Sequence, residues 1–79
     1  MSNLERYNKV FCEVMQVGED DLPTLKFKES KFWDSVGHMT LLAAIEDEFG
    51  IMLETEDMMS ISSYRQGKEI LSMNYGIHF

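Results

Sequence analysis

The chain has 79 residues, of which 44% are hydrophobic, and a formal net charge of −7. That length allows one domain, spanning 1–79, with a modest core, and the hydrophobic fraction is that of a folded protein rather than a disordered tail. No apolar run approaches the roughly 20 residues of a membrane span, the polar N-terminus does not read as a signal peptide, and the single Cys12 excludes an internal disulfide. The expectation is a cytoplasmic monomer.

The charge is unevenly placed. Residues 32–64 hold seven acids (Asp34, Glu46, Asp47, Glu48, Glu54, Glu56 and Asp57) and no lysine or arginine. The bases lie outside, at Arg6, Lys9, Lys26, Lys28, Lys31, Arg65 and Lys68. Such asymmetry repels nucleic acid and anionic membrane and attracts proteins with basic patches. Taken alone, an acidic run is also what a merely solvated face looks like.

Ser2 and Glu5 have the spacing of a capping box. Leu4, Tyr7, Val10, Phe11 and Val14 then recur at helical spacing, and Gly18 is the expected stop after Val17. Cys12 falls on the flank of that stripe, where it reads as a small half-buried hydrophobe. From Gly18 to Trp33 there is no sustained period, and the only proline, Pro23, lies here. Leu22, Leu25, Phe27 and Phe32 are scattered through it. This predicts a long loop pinned to the core at several points, with room for a short helical turn.

Asp34 suits an N-cap, because its carboxylate can accept from the free N–H groups of a first turn. Ser35 then opens a helix running to about Phe49 and ending at Gly50. Placing residues at intervals of about 100° puts Met39, Leu41, Leu42, Ile45 and Phe49 on one broad face. His38 falls in the middle of that face, and Val36 is exposed beside the serine. Thr55 can cap a short third helix with Glu56 and Asp57 in its first turn, as the dipole prefers, and with Met58, Met59 and Ile61 buried. Ser63 and Gln66 form a second capping-box pattern. It opens a last helix through about Met73, with Tyr64, Ile70, Leu71 and Met73 inward. Gly67 weakens that helix, Gly76 lies past its end, and the tail carries no readable signal. No strand alternation or repeat is present. The expected fold is an all-α bundle of three longer helices and one short one, with a long loop between the first two.

Several chemistries can be weighed on these residues. A helix start offers free N–H donors and the positive end of the dipole, so Ser35 is a fitting place for a phosphate ester, although serines near helix starts are common. Asp34, Ser35 and His38 do not make a hydrolase. A triad needs its acid behind the base, whereas Asp34 caps the helix and a helical His38 points to the core. The acid-rich stretch from Asp47 to Asp57 lacks calcium-loop spacing, and His38 and His78 are far apart, so no metal site is expected. The seven methionines read as adaptable core filler, suited to a core that opens for a guest.

The run Trp33-Asp34-Ser35-Val36, followed by Leu41-Leu42-Ala43-Ala44-Ile45-Glu46-Asp47-Glu48-Phe49, resembles the acyl carrier protein family. Leu53, Ile61 and Tyr64 fall where that family places core residues, and the likeness covers almost the whole chain. The resemblance implies an acyl-carrier-protein-like bundle in which Ser35 is esterified with 4′-phosphopantetheine. A separate magnesium-dependent phosphopantetheinyl transferase would take that group from coenzyme A. It also implies Asp34 and Val36 beside the arm, with Met39, Glu46, Asp47, Glu48, Glu54, Glu56 and Asp57 facing partner enzymes that carry basic patches. Those partners would be a loading ligase and downstream synthases or transferases. The chain itself would be no enzyme.

The expectation from the resemblance is a free-standing carrier of thioester-bound acyl groups for a fatty-acid, polyketide or other specialised pathway. Gly37 and Thr40 stand where fatty-acid carriers commonly have acids, so the negative surface near Ser35 is thinned. Asp34-Ser35-Val36-Gly37 also looks like D-alanyl carrier proteins, which makes an aminoacyl or peptidyl carrier the alternative. A helical interaction module whose serine is never modified is the alternative of another class. Gly37 costs a helix about 1 kcal/mol relative to Ala and hints at a partner's close approach or at local mobility. His38 could touch the arm, line the mouth of an acyl cavity, or be a core-edge histidine bonded to the loop.

Overall fold

The structure, a computed structural model, describes residues 1–79. Its elements are α1 (Asn3–Met15), a 3-10 turn (Glu19–Thr24), α2 (Ser35–Phe49), α3 (Thr55–Ser60) and α4 (Tyr64–Tyr75). The fold is the all-α, acyl-carrier-protein-like bundle expected, with one isolated antiparallel bridge between Lys26 and Ser63. No helix is long and apolar enough to cross a membrane.

α1 starts on the expected capping box. Ser2 Oγ accepts from the Glu5 N–H at 3.1 Å, and the Glu5 carboxylate accepts from the Ser2 N–H at 2.9 Å. The Ser2 backbone N–H, and after it the Ser2 hydroxyl, hold the Glu5 carboxyl below its ordinary range. The helix ends at Met15 rather than Val17. Gln16 reverses the chain in the left-handed region (φ 56°), its N–H turned back to the Cys12 carbonyl, while Gly18 caps the 3-10 turn instead. The buried stripe accordingly drifts to Tyr7, Val10, Phe11 and Met15, leaving Leu4 exposed.

The long loop is pinned as anticipated, though by different residues in part. Leu22 and Leu25 enter the core, and Phe27 packs half-buried against it. The Phe27 N–H donates to the Ser62 carbonyl at 2.8 Å, and the Tyr64 N–H donates to the Leu25 carbonyl at 3.0 Å, tying the loop to the α3–α4 junction. Phe32 faces outward, and its neighbour Trp33 is fully buried instead. Trp33 meets Phe11 edge-on at 5.5 Å.

α1 and α2 run antiparallel. Arg6, near the start of α1, donates from Nε to Glu48 at the end of α2 at 2.8 Å and also reaches the Glu48 carbonyl. Its guanidinium lies 4.8 Å from the Phe49 ring centroid. A cation here satisfies a C-terminal carbonyl and opposes the negative end of the dipole. Arg6→Ala should therefore cost about 1–2 kcal/mol, discounted for a pair still reached by solvent. The check is urea unfolding of variant and parent, and an unchanged midpoint would refute the staple.

α3 departs most from expectation. Glu54, not Thr55, holds the N-cap position, and no side chain caps the helix. Met59 is 80% exposed and Met58 only half-buried, although Ile61 is in the core. The segment is held by polar bonds in place of burial. Glu46 accepts from the Leu53 N–H at 2.8 Å, and the Tyr75 hydroxyl accepts from the Glu54 N–H at 2.7 Å. Asp57 accepts from Asn74 at 3.0 Å and from the Tyr75 hydroxyl at 2.7 Å.

α4 begins with Ser63 Oγ accepting from the Gln66 N–H at 3.0 Å, but the Gln66 side chain reaches back to Ser62, so only half of a capping box forms. Met73 faces solvent rather than the core. Gly67 is buried inside the helix, where Tyr7 passes it to donate from its hydroxyl to the Tyr64 carbonyl at 2.8 Å. Burial lifts the Tyr7 phenol far above its ordinary range. The tail, unreadable in sequence, closes the bundle. Ile77 enters the core, Phe79 packs edge-on against Tyr7 and Phe49, and Asn3 donates to the His78 carbonyl at 3.0 Å.

Candidate functional site

Ser35 is the first residue of α2, with Asp34 at the N-cap. Asp34 Oδ1 accepts from the Gly37 N–H at 2.8 Å, and its carbonyl accepts from the His38 N–H at 2.8 Å. The Ser35 and Val36 N–H groups are left without a protein partner, as the start of a helix requires. The Ser35 side chain is exposed, and its hydroxyl bonds to nothing in the chain. Val36 beside it is 75% exposed. The result is an available hydroxyl with two unspent N–H donors and a helix dipole behind it, a fitting seat for a phosphodiester. The Asp34 carboxylate is turned into the turn as its cap.

Two open recesses flank this start. On the α1 side, Val14, Lys31, Phe32, Asp34, Val36, Gly37 and Thr40 line a depression of about 260 Å³. On the α3 side, Phe27, His38, Met59, Ile61 and Ser62 line one of about 220 Å³. Gly37 explains how the first depression is built. A Cβ there would fall well inside contact distance of the Phe32 carbonyl oxygen, 3.0 Å from its carbonyl carbon and 3.3 Å from Asp34 Oδ1. The close approach that Gly37 hinted at is thus made by the chain's own loop.

His38 sits at the seam between α2 and α3 instead of the middle of the apolar face. Its Nδ1 accepts from the Trp33 indole N–H at 2.9 Å, and its Nε2 lies 2.8 Å from the Met58 carbonyl. The core-edge role expected of it is thus present, with a bond to the loop at Trp33, and the ring also lines the recess on the α3 side. The signal for this pairing was weak in sequence: an indole N–H needs a partner once buried, and nothing in the spacing names it.

The acids expected to face partners divide into two groups. Asp47, Glu54 and Glu56 are exposed and make no side-chain bond in the chain. Glu46, Glu48 and Asp57 are partly buried and hold Leu53, Arg6 and the Asn74–Tyr75 pair respectively. Met39 is 59% exposed, off the buried face, and Thr40 Oγ1 donates to the Val36 carbonyl at 3.1 Å.

A helical bundle with an exposed, unbonded serine on an acid-capped helix start has the form that a carrier scaffold needs. The family model for the phosphopantetheine attachment site matches residues 9–66, and the chain belongs to that family. It is a phosphopantetheine carrier protein, and its family carries 4′-phosphopantetheine covalently attached. No solved structure matches the chain.

Proposed function

We propose that this carrier holds acyl intermediates for a biosynthetic pathway on an arm esterified to Ser35, without catalysing a reaction itself. The observation that supports this reading most is the exposed, unbonded Ser35 hydroxyl on a first turn whose remaining N–H groups are free. When bound, the arm supplies a terminal thiol on which cargo is held as a thioester. The chain's own residues do the rest. Asp34 fixes the turn by taking the Gly37 N–H, the unpartnered Ser35 and Val36 N–H groups would hold the phosphate oxygens, and the exposed Val36 and Met39 side chains would give a partner apolar contact next to it.

An aminoacyl cargo is the second reading, favoured by the run Asp34-Ser35-Val36-Gly37. The glycine adds little to that choice, because the Phe32 carbonyl excludes any side chain at position 37.

The test is an intact mass after incubating the apo protein with coenzyme A, magnesium and a broad-specificity phosphopantetheinyl transferase. One phosphopantetheine should be gained by the parent and none by Ser35→Ala. No gain by the parent would leave an unmodified interaction module, and a gain surviving Ser35→Ala would move the attachment elsewhere.

Docking should depend on Asp47, Glu54 and Glu56, the acids with no structural bond. Reversing these three to lysine should raise the transferase KM about tenfold at low salt and abolish its salt dependence, with helical circular dichroism unchanged. Adding Glu46 or Glu48 would confound the result, since those carboxylates hold the fold. An unchanged, salt-independent KM would refute the steering role.

A further inference from the structure

An indole N–H can only donate, and a carbonyl oxygen can only accept. The imidazole of His38, set between Trp33 Nε1 at 2.9 Å and the Met58 carbonyl at 2.8 Å, is therefore the neutral tautomer with its proton on Nε2, and both ring nitrogens are committed. The ring is also confined. It lies 6.2 Å from the fully buried Trp33 in near-parallel orientation, and 5.3 Å from Phe27 edge-on. The bond to Met58 is the one side-chain hydrogen bond that joins the bodies of α2 and α3. α3 itself buries no residue fully, so little else holds that end of it against α2.

The recess behind Ser35 on this side stops at His38. Ile61 lies buried beneath it, Met59 forms the outer lip, and the space of about 220 Å³ is open to solvent. A chain entering between α2 and α3 would have to expel the imidazole, leaving the N–H of the fully buried Trp33 without its partner. We propose that His38 is a latch that shuts the α2–α3 seam, so that this carrier presents its cargo outside the bundle and does not take an alkyl chain into its core. This rests on Ser35 as the attachment point. It makes His38 a positioning residue for cargo exposure and fits short or polar acyl groups, including aminoacyl groups, better than long apolar ones.

The experiment loads the parent, His38→Ala and His38→Gln with acetyl- and octanoyl-phosphopantetheine from the corresponding coenzyme A thioesters, with release of adenosine 3′,5′-bisphosphate. Intact mass confirms loading, and hydroxylamine cleavage of each thioester is then followed. In the parent the two cargoes should be cleaved at rates within about twofold of one another, because both stay in solvent. In His38→Ala the octanoyl thioester should be cleaved about fivefold or more slowly than the acetyl one, because the opened seam now shelters the chain. His38→Gln should behave like the parent, since its amide offers an acceptor and a donor on one carbon, as the imidazole does. A purely structural loss would change both cargoes alike, so the octanoyl-to-acetyl ratio isolates the latch. Protection of octanoyl in the parent, which needs no variant to observe, would overturn the proposal. So would a His38→Ala ratio equal to that of the parent. Absence of any mass gain would instead remove the Ser35 attachment on which the proposal rests.

Discussion

Gly37→Ala should destabilise the protein by about 2 kcal/mol and lower its Tm by about 10 °C, although alanine is the better helix former. The glycine has an ordinary helical backbone, so conformational freedom is not the reason for it. The added methyl would meet the Phe32 carbonyl, a backbone atom that cannot rotate aside. Relief requires the loop to lift, and the loop is anchored one residue later by Trp33, fully buried and bonded to His38. Overpacking of this kind costs about 1–3 kcal/mol and occasionally more, against a propensity gain of about 1 kcal/mol. Because the same turn presents Ser35, the variant should also be loaded more slowly by the transferase. Thermal unfolding and a loading time course check both effects. A variant as stable as the parent would show that the Phe32 carbonyl does not sit over this turn.

The second large effect reverses sign with its background. Gly67→Ala should destabilise the parent by about 2 kcal/mol, yet be neutral or stabilising by up to about 1 kcal/mol in the Tyr7→Phe background. A Cβ at Gly67 would collide with the Tyr7 hydroxyl, while the Tyr7 Cζ at 3.4 Å and Ile61 Cγ2 at 3.5 Å are ordinary or nearly ordinary neighbours. The phenol cannot yield. Its ring is packed against Phe11 at 4.7 Å and against Tyr64 and Phe79 at 5.2 Å each, and its hydroxyl is spent on the Tyr64 carbonyl. Removing that hydroxyl costs about 1 kcal/mol by itself. It also removes the obstacle, leaving the helix to gain from alanine. A double-mutant cycle by urea unfolding should therefore give a coupling of about 2–3 kcal/mol. Additive single effects would mean that the two residues do not meet.

What could be read from the chain alone was local. α2 runs from Ser35 to Phe49 as expected, because Asp34 caps one end and Gly50, at φ 64°, turns the chain at the other. Both signals lie next to the elements they end. α1 overran by two residues because its stop is a left-handed glutamine, Gln16, which no composition rule favours over the glycine at 18. Periodicity placed Met59 and Met73 on apolar faces, but whether a face is covered depends on what packs there, and nothing covers these two. The acids show the same limit. Glu48 is 42 residues from Arg6 and Asp57 is 18 from Tyr75, so their engagement is invisible until the chain is folded. By propensity alone Gly37 and Gly67 are each a cost to their helix. The atoms that require them, the Phe32 carbonyl and the Tyr7 hydroxyl, come from elsewhere in the fold. The phosphopantetheine family, by contrast, was legible, because its signature is a contiguous run at one helix.

The antiparallel pairing of α1 and α2 bears on how the molecule can be handled. Asn3 and His78 touch, and Arg6 beside them grips the last turn of α2, so both chain ends leave the bundle from one pole. Ser35 opens the other pole, separated by the length of a 15-residue helix, about 22 Å. A purification tag, a dye or a solid support attached at either end is thus held away from the serine, and two different labels could be mounted there together. A molecule tethered in this way would face its modifying enzyme with the reactive pole outward.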